Sequence, residues 1–129
     1  MVSYTTVFYV HLIVGGLFCS PVFLMGMDGF IDVMSEGKLK PDIWHKAIFG
    51  IDFVKNIMIM IQCFFGTKME PASQRMLAWS MLFLSLGAIV NLYIYPTGDM
   101  PPPPAVVYLC IMTTLYMLAL FGGEKGKKA

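Results

Sequence analysis

The sequence predicts an all-α integral membrane protein, folded as a four-helix bundle with antiparallel up-down topology. Hydrophobic residues make up 57% of the 129-residue chain and charged residues only 13%, whereas soluble domains carry about 25% charged residues. Four apolar stretches follow one another along the chain, each close to the roughly 20 residues that a membrane-spanning helix needs. The length suits a single transmembrane domain that covers residues 1–129.

Charges, prolines and glycines place the four spans. No charged residue precedes Asp28, Pro96 closes the third stretch, and a run of four prolines precedes the last one, which ends at a glycine pair. Proline is tolerated in the first turn of a helix and glycine is common at helix ends. The predicted spans cover about residues 3–27, 43–66, 76–95 and 104–122.

The distribution of Lys and Arg predicts the orientation. Both termini and the loop between the second and third spans lie on one side, and the opposite loops mix two lysines with several carboxylates. Cytoplasmic loops carry an excess of Lys and Arg, so this side is expected to face the cytosol, matrix or stroma. No basic residue precedes the first span, which is also longer than a signal peptide's apolar region, so we expect it to be retained. The basic residues on this side are Lys68, Arg75, Lys125, Lys127 and Lys128.

Polar residues in the second span form the strongest anomaly. Asp52 lies on the order of 14 Å along the helix from its start, near the bilayer midplane, where a charge is costly and usually marks function. Lys55 follows at i, i+3, a spacing at which the two side chains can meet, and Asn56 and Gln62 extend the polar stretch. A proton path, a polar ligand pocket, a contact with a partner subunit, and an ion pair that only fixes helix register are all open interpretations.

The two histidines are candidate ligands to haem or chlorophyll. His11 lies about two turns into the first helix, and His45 lies at the start of the second. On antiparallel helices the two rings begin from opposite membrane faces, on the order of 20 Å apart. One chain therefore cannot hold a haem between them, although ligation by a single histidine stays open. A histidine hydrogen-bonded to a neighbouring side chain is the competing interpretation, and the candidate ligands remain lipid, chlorophyll, haem and quinone.

Small residues mark places where helices can approach closely. Gly15, Gly16 and Ser20 lie on the first helix, with Gly16 and Ser20 at small-xxx-small spacing. Gly87 is the corresponding residue of the third helix. These residues predict helix packing, within the bundle or against another subunit. Pro21 is expected to kink the first helix.

The order of these features resembles that of a known family. The first helix is interrupted by glycines, the second continues after Gly50, and the third carries Gly87-Ala88-Ile89 with Asn91 near its end. A Gly98-Asp99 turn with prolines leads into the last helix. This layout resembles the DoxX-like family of small four-helix membrane proteins. The resemblance implies an accessory membrane role beside quinone-linked oxidoreductases.

The sequence favours a structural function over an enzymatic one. A net charge of +1 without a basic block argues against nucleic-acid binding, and the chain carries no nucleophile elbow, Walker loop, dinucleotide fingerprint or HExxH motif. We expect a non-catalytic accessory subunit of an energy-transducing, respiratory-type complex, in contact with lipid and other transmembrane subunits. The mitochondrial inner membrane is the first expected location, and the thylakoid and the ER are alternatives.

Two other functions stay open. The chain is alternatively a pigment-, haem- or quinone-binding subunit of a photosynthetic or respiratory complex, with His11 and His45 as its sites. A third hypothesis is a small proton- or ion-coupled transporter that uses Asp52 as its coupling carboxylate, because intramembrane carboxylates serve in such relays.

Overall fold

The computed structural model has four helices in the residues that it describes. α1 covers Tyr4–Ser35, α2 Ile43–Gly66, α3 Pro71–Ile94 and α4 Pro103–Phe121. Residues 2–35, 37–38, 40–94 and 103–122 are described, and they include no β-strand. The all-α prediction is therefore confirmed for this part of the chain.

Among the described residues, three helices have the length and hydropathy of membrane spans. These are α1, α2 and the Pro71–Asn91 part of α3, whereas Ala105–Phe121 of α4 is a shorter apolar helix. The structure thus agrees with an integral membrane protein. The fourth predicted span corresponds to α4, which falls somewhat short of the usual length of about 20 residues.

The ends of α2 match the predicted boundaries. Asp42 is the N-cap residue, and its side chain accepts a hydrogen bond from the His45 backbone N–H at 2.8 Å. A carboxylate at this position satisfies one of the donors that the first helical turn leaves without a partner. The helix ends at Gly66, where the backbone N–H of Thr67 bonds to carbonyls of the last turn.

Two helices extend beyond the predicted spans. α3 begins at Pro71 rather than near Met76, because its polar first turn is helical and the Gln74 backbone N–H bonds to the Glu70 carbonyl at 2.9 Å. The Pro71 ring suits this first turn, where its missing N–H costs no hydrogen bond. Hydropathy locates the apolar part of a helix and misses a polar turn of this kind.

α1 continues past Met27 across a break. Gly26 has φ 73° and ψ −176°, a region that is essentially restricted to glycine. The non-helical backbone angles lie at Gly26, five residues after Pro21, while the kink expected at Pro21 stays a prediction. After the break, Asp28 forms an ion pair with Lys46 of α2, with Oδ1 2.9 Å from Nζ. The last part of α1 is therefore fastened to the start of α2.

The helices differ in how many neighbours they have. α1 packs mainly against α2 and also against α4, and α3 packs mainly against α4, whereas α2 and α3 make few contacts. One side of α2 is consequently left on the outside of the bundle. The buried core comprises Val7, Phe8, Ile59, Cys63, Ala78, Met81, Leu82, Tyr108, Met112, Tyr116, Ala119 and Leu120.

Candidate functional site

His11 is enclosed between α1 and α4. Its side chain is only 3% exposed, and both ring nitrogens are hydrogen-bonded: Nδ1 lies 2.6 Å from the hydroxyl of Tyr116 and Nε2 lies 2.6 Å from the hydroxyl of Tyr108. A neutral imidazole has one donor and one acceptor nitrogen, so one tyrosine donates and the other accepts. His11, Tyr108 and Tyr116, here called the tyrosine–histidine cluster, therefore satisfy one another.

The helical repeat explains how α4 provides both tyrosines. Tyr108 and Tyr116 are eight residues apart, which exceeds two helical turns by about 80°, so both still lie on one broad helix face, about 12 Å apart along the axis. His11 lies between them from the neighbouring helix. This pairing was not predicted from the sequence, where the eight-residue spacing of tyrosines in the last span is the signal that could have indicated it.

The cluster also contacts α2 and is covered by aromatic rings. Cys63 of α2 places its Sγ 3.6 Å from the hydroxyl of Tyr116. The ring of Phe18 stacks on Tyr108 with centroids 4.9 Å apart, and Phe8 lies against Tyr116 with centroids 6.3 Å apart. The cluster thus links three helices through polar contacts inside an apolar shell, which suits a packing role.

The two predicted histidine ligands occupy different environments. A haem or chlorophyll on His11 would have to displace a tyrosine hydroxyl, because both ring nitrogens are already bonded. His45 is half-buried at the start of α2, with Nδ1 2.8 Å from Oδ1 of Asp42. In the part of the chain that the structure describes, no group of three His, Cys, Asp or Glu residues could hold a metal ion. Pigment or haem ligation by either histidine stays a prediction.

The polar residues of α2 form a second candidate site, which lies partly on the surface of the bundle. Nζ of Lys55 and Oδ1 of Asp52 form an ion pair, with side chains 46% and 41% exposed. Asn56 is buried and donates from Nδ2 to the backbone carbonyl of Asp52 at 2.9 Å and to Oδ2 of Asp52 at 3.3 Å. The structure therefore brings three of the four predicted residues together. Gln62 is exposed farther along the helix.

The predicted packing residues fall into two groups. Gly15 is buried at the contact of α1 with α2, where a Cβ atom would lie 3.1 Å from Cγ of Met60. Gly16 and Gly87 have open space around them, since a Cβ atom added to either would meet nothing within 4 Å. Ser20 donates to a carbonyl of its own helix at 2.7 Å. Of these four predicted residues, only Gly15 therefore marks a close approach of helices within the described chain.

A tighter glycine contact was not predicted. At Gly66, the last residue of α2, a Cβ atom would lie 2.6 Å from Cδ2 of Leu77 and 3.0 Å from Cε2 of Phe8. Gln74 also donates from Nε2 to the Gly66 carbonyl at 2.9 Å. The sequence shows Gly66 only as a helix end, because the approach of α1 and α3 to this residue is a property of the tertiary structure.

A shallow groove of about 360 Å³ lies on the surface of α1 and α2. Its lining side chains are all apolar, so it suits the acyl chain of a lipid and offers no side-chain polar group to a headgroup. The groove is lined by Leu12, Ile57, Met60, Ile61, Phe64 and Phe65.

No protein-family model, curated protein or solved structure matches this chain. The DoxX-like resemblance therefore remains one of sequence layout. The features that bear on function are the outer face of α2 and the interior of the bundle.

Proposed function

We propose that this chain is a non-catalytic transmembrane subunit of a larger membrane complex. The observation that carries this proposal is the half-exposed ion pair of Asp52 and Lys55. It lies about halfway along the 24-residue α2, one of the three helices that are long and apolar enough to cross a membrane. A protein surface in contact with this pair replaces the lipid around both charges.

The energetic reason is the cost of a charge in hydrocarbon. A helix rises about 1.5 Å per residue, which places Lys55 about 18 Å from the start of α2 and about 16 Å from its end. A lysine near a helix end can extend its ammonium group to the interface, but one at mid-depth cannot. A charge at the bilayer centre costs at least about 2.5 kcal/mol, and an ion pair lowers this cost only in part. Contact with a neighbouring subunit removes the lipid from this site.

Side-chain contacts support the up-down arrangement in this proposal. Phe23 of α1 lies against Phe53 of α2 with ring centroids 5.5 Å apart, while the first turns of α1 contact Gly66 at the end of α2. Trp79 near the start of α3 lies against Phe121 at the end of α4, with centroids 5.4 Å apart. These pairings favour antiparallel neighbours, with α4 as a fourth, short span.

The orientation and the location are further parts of the proposal. An up-down arrangement places the start of α1, the end of α4 and the loop with Lys68 on one side of the membrane. We assign this side to the cytosol, matrix or stroma. The predicted lysines of the tail lie outside the described residues. The respiratory-type complex and the mitochondrial inner membrane follow from the DoxX-like layout, and other transmembrane subunits and lipid are the proposed partners.

Gentle extraction from native membranes tests the proposal. After alkaline washing, the chain is expected to stay in the membrane fraction; after mild detergent extraction, it is expected to migrate far above its own mass of 14.4 kDa. Mass spectrometry of that particle should identify other transmembrane proteins in constant ratio to this chain. Migration as a free monomer, or as a particle that holds only this chain, contradicts the proposal.

A further inference from the structure

The apolar groove on α1 and α2 ends beside a lysine. Lys68 follows the last turn of α2, which ends at Gly66, and its Nζ lies over the ring of Phe64, 4.5 Å from the ring centroid. Phe64 is one of the residues that line the groove. An ammonium group thus lies at the end of a groove whose own lining is apolar. We call the groove and Lys68 together the α2 groove site.

The contact with Phe64 holds the Lys68 ammonium at this position. A lysine ammonium within about 6 Å of a ring centroid is attracted by the ring's quadrupole, and the stem of a lysine side chain packs along apolar surface. Two other lysines, Lys46 and Lys55, pair with carboxylates of the chain. None of the ion pairs among the described residues includes Lys68, so within that part of the chain its charge has no counter-ion.

The groove lies in the half of α2 that leads to Lys68. Its lining residues on α2 run from Ile57 to Phe65, a length of about 12 Å at a rise of about 1.5 Å per residue. The hydrocarbon core of a bilayer is about 30 Å thick, so each leaflet contributes about 15 Å. Where α2 crosses the membrane, the groove therefore covers most of one leaflet, and Lys68 lies at the level of the headgroups of that leaflet.

The size and lining of the groove suit a hydrocarbon chain. Its volume of about 360 Å³ falls within the range of about 300–1,000 Å³ that is typical of small-molecule sites. Its lining side chains are all apolar, so a polar group placed there would lose its hydration without gaining a hydrogen bond from a side chain. An acyl chain has no hydration to lose and packs against these side chains.

We propose that the α2 groove site binds an anionic phospholipid from the leaflet on the Lys68 side. One acyl chain lies in the groove, and the phosphate lies beside the Lys68 ammonium. This proposal rests on the proposed function only in that α2 crosses the membrane, and it requires no neighbouring subunit.

Charge complementarity favours an anionic lipid over other occupants. The phosphate of phosphatidylcholine already lies beside the ammonium of its own headgroup, which weakens its attraction to Lys68, whereas an anionic lipid keeps its net negative charge. Anionic leaflets attract Lys and Arg residues at the membrane surface for the same reason. An apolar helix of another protein would fill the groove but leave the Lys68 charge without a counter-ion.

The α2 groove site and the proposed subunit contact lie on opposite sides of α2. Phe64 follows Lys55 by nine residues, which corresponds to two and a half turns of an α-helix, or about 180° around its axis. A subunit that covers the pair of Asp52 and Lys55 therefore leaves the groove open. The lipid and the subunit are separate partners of one helix.

Photolabelling of the full chain in phosphatidylcholine discs tests the site. The probe is a small proportion of phosphatidylglycerol with a diazirine on one acyl chain, compared with phosphatidylcholine that carries the same chain. The phosphatidylglycerol probe should label residues 57–65 several-fold more than the phosphatidylcholine probe, and added glycerol 3-phosphate should not reduce this label. Equal labelling by both probes, or label spread evenly over the four helices, identifies ordinary bilayer contact and overturns the proposal. Competition by glycerol 3-phosphate identifies a site for free phosphate and also overturns it.

Substitution of Lys68 tests the headgroup contact. Lys68→Gln should lower labelling by the phosphatidylglycerol probe several-fold, to the level of the phosphatidylcholine probe, and Lys68→Arg should retain the label. Lys40→Gln is the matched control, because it removes one ammonium from an exposed residue before the start of α2, and it should leave the label unchanged. Wild-type labelling of Lys68→Gln, or an equal loss in Lys40→Gln, contradicts the proposal.

A larger side chain in the groove tests the acyl-chain contact. Ile61→Trp fills part of the groove, and Ile111→Trp on α4 is its control, since the two native residues are 47% and 41% exposed. Ile61→Trp should lower the label on residues 57–65 several-fold, whereas Ile111→Trp should not. Unchanged label in Ile61→Trp contradicts the placement of the chain. Lys68→Gln changes a side chain outside the helices and keeps the test independent of packing.

The two proposals fail in different ways. Selective label in the groove of a chain that migrates as a free monomer supports the lipid site and contradicts the larger complex. Constant association with other transmembrane proteins, together with equal labelling by the two probes, supports the larger complex and contradicts the lipid site.

Discussion

Polar side chains have different surroundings in the interior of the bundle and on the outer face of α2. Inside, both nitrogens of His11 are bonded to tyrosine hydroxyls, and the ring is 3% exposed. Outside, Lys55 and Asp52 pair with each other yet stay half exposed at mid-helix. The tyrosine–histidine cluster is complete within one chain. This difference is the reason why the proposed function places a neighbouring subunit on the outer face of α2.

The physical reason for the difference is the solvent. A buried polar group without a partner costs free energy, so folding brings donors and acceptors together in the interior. A polar group on the outside of a soluble protein is satisfied by water, but hydrocarbon provides no such partner. Half-exposed charges in the middle of an apolar helix are therefore costly where they meet lipid. Substitutions in the two regions are expected to differ accordingly, in size and in the property that they change.

The largest effect is expected when the interior cluster is broken. His11→Ala leaves two buried tyrosine hydroxyls without partners and creates a cavity, so the free energy of unfolding should fall by about 2–4 kcal/mol. Unfolding of the purified protein by a denaturing detergent measures the change. His45→Ala removes the other, half-buried histidine and should have a much smaller effect. Equal effects of the two substitutions would show that the cluster does not stabilise the bundle.

The next effect concerns packing inside and outside the bundle. Gly66→Ala forces a methyl group against Leu77 and Phe8, so we expect a loss of about 1–2 kcal/mol in the free energy of unfolding. Gly16→Ala adds a methyl group to open space and should instead stabilise α1 by up to about 1 kcal/mol. Thermal denaturation in detergent compares the two. A stability loss at Gly16 similar to that at Gly66 would contradict the structural distinction.

Removal of the outer charges should affect association and leave the single chain nearly unchanged. Exposed pairs at i, i+3 contribute about 0.2–0.5 kcal/mol to a helix. The variant Asp52→Asn with Lys55→Met should therefore change the free energy of unfolding of the detergent-solubilised monomer by less than about 0.5 kcal/mol. Denaturant titration of the monomer provides the measurement. A loss as large as that of His11→Ala would mean that the pair stabilises the bundle itself.

The smallest effect is expected from pH at the start of α2. The His45 backbone N–H donates to Asp42 and, together with the nearby His45 ring, holds the pKa of this carboxyl below its usual value. The contribution of the cap is therefore fully present above the unfolded-state pKa of about 3.9 and is lost as the pH falls through the lower folded-state pKa. Amide hydrogen exchange in the first turn of α2, corrected for intrinsic rates, should show less protection at acidic pH. Asp42→Asn keeps a capping group without a titrating carboxyl, so this change should disappear; a persistent change would exclude Asp42 as its cause.

Hydropathy predicted where the helices lie, because the free-energy cost of burying polar backbone groups and charges dominates in an apolar chain. α2 begins at Ile43 and ends at Gly66 as predicted. Hydropathy did not predict the helix ends where the sequence turns polar, as at Pro71, or where the helix continues after a break, as at Gly26. The ion pair of Asp52 and Lys55 was predictable, because residues at i, i+3 are neighbours in any helix.

The sequence by itself indicated a membrane environment, the number of apolar helices and the local contacts along each helix, since these depend on composition and on the helical repeat. Only the tertiary structure decided which partners the polar residues of different helices have. The bonds of His11 to α4 join residues 97 and 105 positions apart, and no local pattern specifies how two helices are rotated against each other. The same rotation buries Asn56 and leaves Lys55 outside, because packing of α2 on α1 selects one face of the helix and exposes the other.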